Sequence, residues 1–214
     1  MFVKIKTLSL SFVLTFVLPV VFYAGMAEAE TKKLLVFGDS LVAGYGLAAG
    51  DGFTDQLQQT LNATNLDVQV INAGVSGDTT NGGVERLAWA LFDQPDAVIL
   101  ELGANDALRG LPLSDTESNL RTLLTELQSQ SIPVLFVGMQ ASPSLGKEYQ
   151  DKFDAIFPKL AAEFGVLFYP FFLEGVAADL SLNQEDGIHP NVEGVAKIIQ
   201  LMTPSILELL QQQQ

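Results

Sequence analysis

Five short runs rich in Val, Ile and Leu, at residues 34–37, 68–71, 97–102, 134–137 and 166–168, are separated by stretches whose apolar residues recur at helical spacing. A continuous apolar run, unlike an alternating one, fits a strand covered on both faces. The clearest helical stretch is 116–129, where Leu120, Leu123, Leu124 and Leu127 fall on one face. Others are expected at 53–61, at 81–91 and at 149–164, with Pro158 kinking or breaking the last, and a final helix begins near Val192. Strands alternating with helices require right-handed crossovers and a parallel sheet. The expected fold is therefore a three-layer α/β/α, flavodoxin-like domain with a five-stranded parallel sheet.

The first thirty residues stand apart from this pattern. Lys4 and Lys6 precede an apolar run to about Ala24, and Ala27-Glu28-Ala29 offers the small-x-small pattern of a secretory cleavage site. Residues 1–29 read as a signal peptide, the alternative being a retained membrane anchor. The domain then spans 30–214, the protein is periplasmic or secreted, and it keeps no stable membrane insertion. The chain has no cysteine, so disulfides, a thiol nucleophile and thiolate metal sites are excluded; a single histidine excludes a multi-histidine zinc site. No cofactor or metal is expected. The formal charge of −14 becomes −15 once Lys4, Lys6 and Glu28 are removed, which opposes binding to nucleic acid and to anionic membranes. A soluble monomer acting on a small molecule is expected.

In a doubly wound sheet, ligands bind beyond the carboxyl ends of the strands, where the strand order reverses. The first strand ends at Gly38-Asp39-Ser40, the second in "NAGVSGD" and the third in "ELGAND", so Ser40, Gly74 and Asn105 should meet at one edge. Taken singly, each reads as a cap or turn residue. The segment "EDGIHPN" adds His189, the sole histidine, with Asp186 three residues before it and Pro190 holding the segment out of helical conformation. A carboxylate so placed can fix the imidazole tautomer and leave Nε2 free to take a serine proton. Asp186, His189 and Ser40 thus form a candidate triad, with Glu185 as the alternative acid. The Ser40 and Gly74 backbone N–H groups and the Asn105 amide are candidate oxyanion donors.

With these residues in view the sequence resembles the GDSL or SGNH hydrolases. The family's four blocks are matched by Gly38-Asp39-Ser40-Leu41, Gly74, Gly103-Ala104-Asn105-Asp106 and Asp186-Gly187-Ile188-His189, and the likeness runs from about Leu34 to Met202. "INAGVSGDTT", "ELGANDALRG" and "DGIHPN" are similar to the periplasmic thioesterase, lysophospholipase and arylesterase branch. The resemblance implies Ser40 as nucleophile, His189 as base and acid, Asp186 as its partner, and Gly74 and Asn105 as oxyanion donors. It also implies a small-molecule ester, thioester or lysophospholipid substrate and a covalent acyl-enzyme. Segment 137–150, in the place of that branch's substrate-covering loop, departs from the pattern and leaves acyl length open.

Other motifs carry less. Ser144 and Lys147 fit Ser-x-x-Lys, but neither Lys-Thr-Gly nor Ser-Asp-Asn occurs. The glycines of "GYGLAAG" have the wrong spacing for a dinucleotide loop. Arg109 is expected to be solvated or salt-bridged, with an anionic substrate group as the other reading, and Leu108, Leu111 and Leu113 line an acyl groove or join the core. Two rival functions stand beside the ester and thioester hydrolase: a carbohydrate acetylesterase and an exported binding protein without turnover.

Overall fold

The structure is a computed structural model that describes residues 1–4 and 31–212. Beyond residue 4, the leader read at 1–29 lies outside the described residues. Five parallel strands, β1 (Lys32–Gly38), β2 (Val68–Gly74), β3 (Ala97–Glu101), β4 (Val134–Val137) and β5 (Leu167–Tyr169), lie in the order β2-β1-β3-β4-β5. That is the flavodoxin-like order, with its switch point between β1 and β3. Every residue of β3 and β4 is buried, as the apolar run of each requires, and the burial extends to Glu101 at the end of β3.

Helices α2 (Phe53–Asn62) and α8 (Val192–Gln211) pack together on one face of the sheet, and α3 (Thr80–Ala90), α5 (Leu113–Ser129) and α7 (Ile156–Phe164) cover the other. The expected leucines of α5 are all buried. Phe136 of β4 meets Phe157 of α7 at 5.6 Å between ring centroids, and Phe157 meets Phe153 at 5.3 Å, which joins the sheet to its helical layer.

Three short or broken elements depart from the expected pattern. Helix α1 (Ser40–Ala43) and α4 (Ala104–Leu108) each follow a strand immediately and are too short to have a sequence period. The stretch 149–164 is divided into α6 (Lys147–Asp154) and α7 at Ala155, not at Pro158. Pro158 sits in the first turn of α7, where a missing N–H removes no intrahelical bond, so the break falls ahead of it. Both α1 and α4 lie at the switch point and carry the residues of the site.

Candidate active site

Gly38 ends β1 under tight packing: a Cβ there would collide with the Val42 side chain and lie 2.8 Å from the Glu101 carbonyl oxygen. The chain then turns through Asp39, whose carboxylate accepts the Leu41 N–H at 3.0 Å and caps α1. Ser40 follows as the first residue of that helix, 9% exposed. His189 and Asp186 come from the loop before α8. An antiparallel bridge between Asn183 and Pro190, and the Gln184 N–H donated to the His189 carbonyl at 2.7 Å, close this loop. Gln184 also donates to the Tyr45 carbonyl at 2.8 Å, tying the loop to the chain after α1, and the Tyr45 ring lies 4.6 Å from the imidazole centroid.

Ser40 Oγ lies 2.9 Å from His189 Nε2, and His189 Nδ1 lies 2.7 Å from Asp186 Oδ2. An ionised carboxylate only accepts, so Nδ1 carries the proton and the Nε2 lone pair faces the serine hydroxyl. The other Asp186 oxygen accepts the backbone N–H groups of Ile188 and His189, both at 3.0 Å. Partial desolvation pushes the Asp186 carboxyl up, but these two N–H bonds, with the His189 side chain and its charge, outweigh it and bring the carboxyl down to about 2. Among the described residues Asp186, rather than Glu185, pairs with the imidazole.

These groups open onto a cleft of about 880 Å³ whose lining includes Ser40, Gly77, Asn105 and His189. Gly74 is not among its walls. Its N–H donates to Asn72 Oδ1 at 2.9 Å, and a Cβ on it would lie 2.7 Å from the Val42 carbonyl carbon. Gly74 is thus the point where β2 passes close under α1, and the donor role assigned to it is corrected. The glycine that reaches the cleft is Gly77, at φ +81° in a turn closed by the Asp78 N–H on the Val75 carbonyl at 3.0 Å. The second glycine of "NAGVSGD" was the available signal, but spacing alone does not say which glycine reaches the cleft. Arg109 is exposed and donates to the Gly77 carbonyl, a backbone anchor rather than an ion pair.

Leu108 lines the cleft, whereas Leu113 packs against the core and Leu111 is not part of the lining. Ser144 and Lys147 do not pair: Ser144 Oγ meets Ser142 Oγ at 2.8 Å and Lys147 meets Asp151 at 2.8 Å. Among the described residues no cluster of His, Asp or Glu is arranged to hold a metal ion.

The model of the GDSL-like lipase/acylhydrolase family matches residues 36–197. The chain belongs to this family. It is 38% identical over 191 residues to an arylesterase of Vibrio mimicus, covering 88% of this chain and 95% of that protein. It is 37% identical over 183 residues to thioesterase 1/protease 1/lysophospholipase L1 of Escherichia coli, covering 85% of this chain and 86% of the other. The crystal structure of AlinE4, an SGNH-hydrolase family esterase, superposes with a TM-score of 0.71 at 42% identity, over 85% of this chain and 97% of that one. The GDSL-type chain is accordingly an ester hydrolase with an α/β SGNH fold.

Proposed function

We propose that this hydrolase cleaves acyl esters and thioesters through a covalent acyl-enzyme on Ser40. The observation that carries this reading is the unbroken row from Ser40 Oγ to His189 Nε2 at 2.9 Å and from His189 Nδ1 to Asp186 at 2.7 Å. As Ser40 Oγ bonds to the acyl carbon, His189 Nε2 takes the hydroxyl proton, and Asp186 stabilises the imidazolium. The carbonyl oxygen becomes an anion facing the Ser40 N–H, the Gly77 N–H and the Asn105 amide. Collapse expels the alcohol or thiol, which receives the proton from His189. A water then repeats the sequence, with His189 as base, and releases the acid.

The substrate class follows from the cleft and the relatives. Leu108, Met139, Ala141, Pro143, Leu145 and Leu173 are among its walls, an apolar lining suited to an acyl chain. The relatives named arylesterase and lysophospholipase support lipid and aryl esters over acetylated sugars. Export to the periplasm is proposed from Lys4, Lys6 and the apolar run ending before Ala27-Glu28-Ala29. The test is hydrolysis of p-nitrophenyl esters from acetate to palmitate, with Ser40→Ala as the blank. A Ser40-dependent rate that rises with acyl length supports the reading. A rate confined to acetate favours the sugar-acetate alternative, and no Ser40-dependent rate on any ester removes the hydrolytic mechanism.

A further inference from the structure

Asp39 does more than cap α1. Capping occupies one oxygen, Oδ1, on the Leu41 N–H; the other, Oδ2, accepts the Asn105 side-chain N–H at 2.9 Å. Asp39 is fully buried, and beneath it the equally buried Glu101 accepts the Asp39 N–H at 3.2 Å while its own Oε1 has no partner among the described residues. A carboxylate cannot donate, so only the amide nitrogen of Asn105 can face Oδ2. That leaves the second N–H of the same nitrogen for the cleft, which Asn105 lines beside Ser40 and Gly77.

We propose that Asp39 is a positioning residue acting through Asn105: its ionised carboxylate fixes the orientation of the amide, so that Asn105 is an oxyanion donor only while Asp39 is charged. This rests on the serine-hydrolase reading above. A protonated Asp39 would present an O–H at Oδ2, which pairs with the amide oxygen and turns the nitrogen away. The orphaned amide would then no longer aim an N–H at the developing anion. The charged and titratable groups around Asp39 are Glu101 from β3, Asp78 from the loop after β2, and His189 from the loop before α8. From α3, Arg86 pairs with Asp78 at 2.6 Å and donates to the Gly38 carbonyl at 2.9 Å. Burial pushes the Asp39 carboxyl up, against the Leu41 N–H, the His189 charge and the Asn105 bond, to about 6.

Asp39→Asn retains a good cap and removes the charge. On p-nitrophenyl butyrate it should lower kcat by on the order of 10² with KM within about threefold, the signature of a contact made to the oxyanion. The acid limb of kcat/KM should be steeper by one proton for the unaltered enzyme than for Asp39→Asn, which lacks the Asp39 carboxyl. Asn105→Ala should remove the same one proton from the limb, which tests the idea even if Asp39→Asn does not fold. In the Asn105→Ala background, Asp39→Asn should cost less than about threefold more. An equal cost in both backgrounds would mean that Asp39 acts on the imidazolium instead and overturns the proposal, as does an acid limb of the same order in all variants. Hydrolysis that persists in Ser40→Ala would sink the serine mechanism itself, a separate result.

Discussion

Gly74 and Gly77 are three residues apart, and each resists a side chain for a different reason. Gly77 holds φ +81° as the third residue of the Val75–Asp78 turn, a conformation that a type II turn reserves for glycine. Ala there is strained by about 1 kcal/mol and favours turning the 76–77 peptide, which carries the proposed donor N–H. Gly77→Ala should therefore lose on the order of 10² in kcat with a small fall in melting temperature. Gly74 has no positive φ, but a Cβ on it lies 2.8 Å from Ala43 Cα. Gly74→Ala should lose stability first, and a melting curve beside kcat per folded molecule separates the two; a pure kcat loss at Gly74 would restore it as the donor. Asp186→Asn places an amide against Nδ1 and can impose the wrong tautomer, so kcat should fall by up to about 10⁴ while Glu185→Gln stays near full activity. Equal losses at both positions would remove Asp186 from its assigned role.

At the scale of elements, the centre of the sheet was legible because burial on both faces leaves apolar runs in β1, β3 and β4, while the edge strands β2 and β5 are only partly buried; the switch-point rule then brings the ends of β1, β2 and β3 together without any coordinates. Helices of four and five residues, such as α1 and α4, leave no period to read. The choice between two glycines depends on turn type, and the Asp39–Asn105 contact crosses two strands, so neither is a matter of spacing. Arg86 is the plainest case, since a lone arginine on a helix reads as a solvated charge. In the structure its Nη1 and Nη2 donate to the carbonyls of Ala73 at 2.8 Å and Gly38 at 2.9 Å, its Nε meets Asp78 at 2.6 Å, and its guanidinium lies 3.9 Å over the Phe37 ring. It ties α3 to the ends of β1 and β2 and to the loop that carries Gly77. Lysine supplies the charge but neither the planar fork nor the stacking. Arg86→Lys should cost on the order of 2 kcal/mol in urea unfolding and lower kcat through the loosened loop; a loss below about 0.5 kcal/mol would show that the fork adds little.

For the molecule as a whole, the site sets how stability depends on pH. Desolvation raises the Asp39 carboxyl to about 6, and it raises that of Glu101 well above the ordinary range, with the Asp39 charge adding to the effect. A raised acid is protonated in the folded chain over a window where the unfolded chain has already released its proton. The folded state therefore binds more protons between about pH 4 and pH 6, and stability falls as pH rises through that window. Asp186 works in the opposite sense: its depressed carboxyl favours the folded state above about pH 4 and loses that advantage as pH falls toward 2. Its side chain is 37% exposed, so solvent screens the contribution. Keeping Asp39 charged at neutral pH thus costs the fold stability, while the oriented Asn105 amide is what the charge returns to catalysis. Asp39→Asn should raise unfolding free energy at pH 7 by on the order of 1 to 3 kcal/mol, and most of the gain should be gone at pH 4, where Asp39 is neutral in the folded state and about half protonated in the unfolded one. Urea titrations of both proteins at the two pH values measure this directly. A gain of the same size at pH 4 would point to better packing by the amide, and a loss at pH 7 would mean that the Leu41 and Asn105 bonds to the carboxylate outweigh its burial.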